Sequence, residues 1–111
     1  RRSDSWIVAL VAFPFVLDGR THTLQVYRLF EPGRPEGQLF MAFSDETTGR
    51  ETYPAGRYID PLPGPDGTLI VDFNLAYNPW CAYGKEYDCP LTPAENRLDV
   101  PIPAGERGRN R

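Results

Sequence analysis

One histidine and two cysteines are all that the 111 residues hold of the side chains that most readily bind metals or act as a base near neutrality. A structural zinc site takes four ligands, and His22 is far in sequence from Cys81 and Cys89. No closed metal site is therefore expected within one chain, and no cofactor. Charge of one sign is also lacking. The formal net charge is −3 and the basic residues gather on no periodic face, which excludes the electrostatic footprint of a nucleic-acid binder. Long apolar runs are absent as well. Residues 6–13 are too few to span a bilayer and have no small-x-small cleavage site behind them, so neither a membrane span nor a secretory signal is expected. With no sign of secretion, free thiols in a reducing cytoplasm are the default. No stretch is periodic enough for a helix beyond a single turn at 93–96. The missing initiator Met suggests that a longer natural chain has been trimmed at Arg1.

What is abundant is punctuation. Twelve prolines and ten glycines in a composition that is 41% hydrophobic suit one domain of short strands, not a helical bundle or a disordered chain. Residues 6–17 and 20–30 form a hairpin, because Asp18-Gly19 is a dipeptide favoured in a two-residue type I′ turn. That turn sets Leu17 opposite Arg20, Phe15 opposite His22, Phe13 opposite Leu24 and Val11 opposite Val26. One face then carries Ile7, Val11, Phe13, Phe15, Leu24, Val26 and Phe30 toward the core. Pro14, opposite Thr23, cannot donate to a ladder and marks an edge or a bulge.

A loop at 31–37 leads to a third strand, 38–43, with Leu39, Met41 and Phe43 on one face. Residues 44–50 make a turn with Gly49 left-handed. A fourth strand spans 51–60, bent at Pro54-Ala55-Gly56. A fifth spans 68–74 with Leu69, Val71 and Phe73 inward, and a sixth spans 97–102 with Leu98, Val100 and Ile102 inward. The predicted fold is all-β, about six strands in a small antiparallel meander or barrel, with a long irregular Cys/Tyr/Pro-rich loop packed on it. The single domain divides into 5–43 (hairpin and third strand), 44–74 (turn, strands four and five), 75–96 (irregular loop), 97–103 (last strand) and a tail at 104–111.

The chain is organised around residues 72–97, DFNLAYNPWCAYGKEYDCPLTPAENR, which hold both cysteines. The cysteines could be packing residues, a disulfide, metal ligands shared across a dimer, or reactive thiols, although nothing beside Cys81 would stabilise a thiolate. The polar set Asp45, Glu51, Arg57, Asp72, Asn74, Glu95 and Arg97 could build an acid–base site or hold a polar ligand. It could equally satisfy backbone groups that an irregular segment leaves without ladder partners. The aromatic cluster Tyr77, Trp80, Tyr83 and Tyr87 could line a ligand cleft or cover one end of the sheet. His22 has no carboxylate near it in sequence to orient it, so no catalytic role is expected of it.

Three runs carry a family resemblance: F-x-D-x-T-x-G-x-E-T-Y-x-x-G-R-Y from Phe43, D-F-N-x-A-Y-N-P-x-C-A-Y from Asp72, and the later Cys-Pro-Leu and E-N-R-L before P-x-x-A-G-E. Together they resemble the DUF1684 family of microbial, chiefly bacterial, proteins of unknown function. The resemblance implies a residue set: Asp45, Glu51, Arg57, Tyr58, Asp72, Asn74, Tyr77, Asn78, Cys81, Cys89, Glu95, Asn96 and Arg97. It also implies a further N-terminal region, absent here, and it implies no reaction. Two functions stay open. In the first, the domain binds or transforms a small molecule in a cleft at the 72–97 loop, between it, the 44–50 turn and the end of strand five. There Arg57 and Arg97 hold an anionic group, and Glu51, Asp72 and Cys81 are the catalytic candidates. In the second, the same residues are internal scaffolding of a non-catalytic interaction module. The oligomeric state is left open.

Overall fold

The computed structural model describes residues 6–30, 38–83 and 92–108. The loop at 31–37, Tyr87, Cys89 and the last residues of the tail lie outside the described residues, as do the side chains of Ile7 and Trp80. β1 (Trp6–Leu17) and β2 (Arg20–Phe30) form the expected hairpin, paired from Leu17↔Arg20 through Phe15↔His22 and Val11↔Val26 to Trp6↔Phe30. Asp18 (φ 53°) and Gly19 (φ 75°) both take positive φ, as a type I′ turn requires. The pairing skips a residue between Ala9 and Val11. Val11, expected in the core, is exposed beside this bulge.

β3 (Gln38–Phe43) pairs with β2, and β4 (Arg57–Ile59) pairs with β3, giving a four-stranded antiparallel sheet in the order β1-β2-β3-β4. β5 (Leu62–Pro63) and β6 (Leu69–Ile70) form a separate two-stranded ribbon. The sheet is an open meander, and the barrel alternative is corrected. β1 and β4 lie at opposite edges, and β4 is only three residues long, too short to carry the sheet round into closure. Among the described residues no helix is long and apolar enough to cross a membrane.

Alternation along the strands gives the sheet two packed faces. Leu24, Val26, Met41, Phe43 and Ile59 face one way and are covered by Leu98, Val100, Ile102 and Ala76, with Phe13, Phe15, Leu69, Val71 and Phe73 at the margin. Each large side chain fully buried here contributes about 1.5–3 kcal/mol relative to exposure. Tyr27, Phe40, Ala42 and Tyr58 form a second buried cluster, with Tyr77 against it. The sequence reading assigned these strands one core face and missed this second one.

Three expected strands are shorter than expected or replaced. The fourth is strand only over β4, since residues 53–56 turn, with the Gly56 N–H donating to the Tyr53 carbonyl. Gly56 is required there: at φ 94° a Cβ would lie 2.6 Å from the Thr92 hydroxyl and 2.7 Å from the Phe43 carbonyl oxygen. The fifth ends at Ile70, because the Asp72 carboxylate accepts from the Asn74 N–H at 3.0 Å and caps a 3-10 turn, Phe73–Leu75. The sixth has no ladder. Residues 97–108 are an irregular strap, bent at Asp99, Val100 and Gly105, that bridges to Ser44 at Arg97 and thereafter has Pro101 and Pro103, which carry no N–H to donate. Leu98, Val100 and Ile102 are buried as expected, and the helical turn appears at Ala94–Asn96.

Candidate functional site

The strap is held at intervals by backbone hydrogen bonds, with the Leu98 N–H donating to Ser44, the Glu46 N–H to Val100, the Glu106 N–H to Ala76 and the Gly108 N–H to Glu51, and between these by side chains. Arg57, at the start of β4, points to the same face as Ile59 and is 1% exposed. Its Nη2 donates to the Ile102 carbonyl at 2.8 Å and its Nη1 to the Ala104 carbonyl at 2.5 Å, with a longer contact of 3.4 Å to the Glu106 carbonyl. These three carbonyls belong to alternate residues of the strap, which bends at Gly105 (φ 88°) between the last two. The guanidinium also lies 5.1 Å above the centroid of Phe43, stacked on its ring. Burial lowers the Arg57 pKa from its ordinary value and Asp45 opposes that, so the group stays a cation.

Asp45 completes the arrangement. Its Oδ2 accepts from Arg57 Nη2 at 3.1 Å and from the Ile102 N–H at 2.9 Å. Its Oδ1 accepts from the Thr47 N–H and hydroxyl at 3.0 and 2.7 Å and from the Thr48 hydroxyl at 3.2 Å. Thr47 in turn meets the Thr52 hydroxyl at 3.0 Å, which locks the 44–52 turn, where Gly49 has φ 85°. A buried ion pair is worth keeping only when its other polar atoms are well bonded, and here both Asp45 oxygens and both terminal nitrogens of Arg57 have backbone partners.

Asn96 works in the same way at another seam. β2 and β3 pair as far as Tyr27↔Phe40, and the next opposed positions are Gln25 and Ala42. The fully buried Asn96 amide fits between them: Oδ1 accepts from the Gln25 N–H at 2.8 Å, and Nδ2 donates to the Gln25 and Ala42 carbonyls at 3.0 and 2.8 Å. The side chain stands in for the peptide group of a missing strand pair.

The other predicted residues have separate tasks. Tyr58 and Tyr77 exchange backbone hydrogen bonds of 2.8 and 2.9 Å and pack edge to face, and the Tyr77 hydroxyl donates to Asp60 at 2.7 Å. The Tyr27 hydroxyl donates to Glu95 at 2.5 Å. Asn78 donates through its backbone N–H to Glu106 at 2.7 Å and through Nδ2 to the Tyr83 hydroxyl and the Arg107 carbonyl, and Tyr83 also bonds Glu106. The Cys81 sulfur is in a disulfide, which replaces the expected free thiol and leaves no nucleophile there in this state. Among the described residues no hydrogen bond or ion pair joins Asp72 or Asn74 to Arg57.

His22 has no carboxylate near it in sequence, but the fold brings one to it. Nδ1 lies 3.8 Å from Asp99, which arrives from the strap and has no sequence signal to betray it. Nε2 is buried without a hydrogen-bond partner among the described residues, beside Phe15.

One open polar groove of about 630 Å³ lies against the 44–52 turn. Glu46, Thr47, Thr48, Arg50 and Glu51 form one side, and Arg97 and Pro101 from the strap form the other. Arg97 Nη1 donates to the Asp45 carbonyl at 2.9 Å, which fixes the direction of its guanidinium. Of the predicted residues, Glu51 and Arg97 reach this groove. The turn was expected to border a cleft, but Glu46, Arg50 and Pro101 were not picked as its residues, since nothing in a short charged turn says which side chains face inward.

The family DUF1684, described as a protein of unknown function, matches residues 3–107. The chain belongs to the DUF1684 family. No curated protein matches it. The solution NMR structure of an uncharacterized protein from Haloarcula marismortui is similar, with 42% identity, a TM-score of 0.64 and coverage of 86% of this chain. The DUF1684 chain described here spans about half of that protein, 53% of its length. Within it, the residues picked from the sequence divide into a scaffold, formed by Asp45, Arg57 and Asn96, and a groove wall, formed by Glu51 and Arg97.

Proposed function

We propose that this domain is a non-catalytic binding module, in which the buried polar residues hold the fold and recognition falls to the groove beside the 44–52 turn. The observation that carries this reading is that Asp45 and Arg57 direct their hydrogen bonds into the chain's own backbone, each other and the hydroxyls of Thr47 and Thr48. A substrate would have to displace the strap to reach either. The groove, by contrast, is open, polar and built on a turn that Asp45 holds rigid, which lowers the ordering cost of binding. The cytoplasm was the expected compartment. The disulfide at Cys81 instead supports an oxidising one, where such bonds persist.

Thermal and urea unfolding of two variants tests the division. Asp45→Ala leaves Arg57 buried without its counter-charge, so a loss of about 3–5 kcal/mol or failure to fold is expected. Glu51→Gln alters an exposed side chain and should stay within about 0.5 kcal/mol of the parent. An Asp45→Ala protein as stable as the parent would remove the scaffold reading.

A further inference from the structure

Four formal charges line the groove: carboxylates on Glu46 and Glu51, guanidiniums on Arg50 and Arg97. Among the described residues the side-chain ion pairs are Arg20–Asp99, His22–Asp99 and Arg57–Asp45, so none of the four is paired with another. The Arg97 guanidinium is already aimed by its bond to the Asp45 carbonyl, with its other N–H groups unused among the described residues. The other three charges stand on a turn whose backbone is fixed from within by Thr47, Thr48 and Thr52.

A ligand with one sign of charge fits this arrangement poorly. An anion drawn to the arginines meets the field of Glu46 and Glu51, and a cation drawn to the glutamates meets Arg50 and Arg97. A molecule carrying both charges satisfies both pairs, and a groove of zero formal charge suits a ligand of zero net charge. The volume of about 630 Å³ is in the range of small-molecule sites. Its walls are mostly charged groups and hydroxyls, with Pro101 as the apolar contact, which suits a small, well-hydrated solute over an apolar one.

We propose that the groove binds a small zwitterion with an ammonium and a carboxylate in one molecule, as in a free α-amino acid. Arg97 and Arg50 take the carboxylate through charge-assisted hydrogen bonds, and Glu46 and Glu51 take the ammonium. The assignment rests on the binding-module reading above and adds the chemistry of the ligand to it.

The test is amide chemical-shift titration of the 12.6 kDa chain with three probes of one skeleton. L-Glutamine carries both charges, N-acetyl-L-glutamine the carboxylate alone, and L-glutaminamide the ammonium alone. Saturable shifts confined to Thr48, Arg50, Glu51 and Arg97 are expected with L-glutamine, and binding weaker by about tenfold with each single-charge probe. The Glu51→Gln variant should weaken L-glutamine by a similar factor and leave N-acetyl-L-glutamine unchanged. Equal binding of either single-charge probe, or no groove shifts with any of the three, overturns the zwitterion assignment. The binding-module reading has its own point of failure, an Asp45→Ala protein that unfolds like the parent, so the two can be told apart.

Discussion

Asn96 does by side chain what a ladder would do by backbone, and its replacement shows how much that matters. Asn96→Ala strands the Gln25 N–H and two carbonyls in a buried seam, each short of a partner. At about 1–3 kcal/mol for an unsatisfied buried group, partly relieved by entering water, the expected loss is about 3 kcal/mol by urea unfolding. The Tyr27–Glu95 contact makes a prediction of a different kind, in pH. Burial and the neighbouring carboxylate raise the Tyr27 pKa well above its ordinary value, and the Tyr27 hydroxyl lowers that of Glu95. A lowered carboxylate stabilises the fold above its unfolded value of 4.5 and stops doing so as pH falls through the folded value. A raised phenol stabilises it below about 10 and stops doing so as pH climbs further. Tyr27→Phe should therefore lower the melting temperature between about pH 5 and 9 and converge with the parent in acid. Parallel curves for the two proteins down to low pH would remove the contact as the source.

At the scale of elements, the hairpin was legible because one turn specifies it. Asp18-Gly19 fixes the loop at two residues, and the whole β1–β2 register follows from that length. β3 was legible from alternation alone. The last segment was half legible. Leu98, Val100 and Ile102 alternate and are buried, but alternation reports only that a chain is extended with one face covered. It cannot say whether the edge is held by a strand or by Asp45 and Arg57. The second aromatic cluster went unread for a related reason: Tyr27, Phe40 and Tyr58 occupy the positions that a one-sided sheet would turn to solvent. The Glu51–Arg97 groove was half legible: a cleft was expected beside the 44–50 turn, but its other wall is Arg97 and Pro101 of the strap, far along the chain, and not the end of strand five. The strap's attachment can be checked by hydrogen exchange. The Ile102 N–H, bonded to a buried carboxylate, should exchange as slowly as the amides that join β2 and β3, despite lying outside any ladder. Exchange at the rate of an open loop would mean that the strap is not held as described.

For the whole molecule, the covalent state and the order of assembly both follow from what was described above. With Cys81 in a disulfide and no free cysteine among the described residues, the unreduced, denatured protein should react with no thiol reagent, whereas the reduced protein should expose two thiols. Two thiols without reduction would restore the cytoplasmic expectation. The strap has a further consequence, for synthesis. Everything it braces precedes it: Asp45 waits for Ile102, Arg57 for Ala104, and Gln25 for Asn96. Contacts so distant in sequence cost loop-closure entropy before they return any stability, and they slow folding. As the chain leaves the ribosome, the hairpin can close at once. Leu24, Met41, Phe43 and Ile59 must wait uncovered until the strap has emerged. For that interval the nascent domain presents an apolar sheet face to its surroundings, and it needs either rapid completion of the strap or a chaperone to shield it.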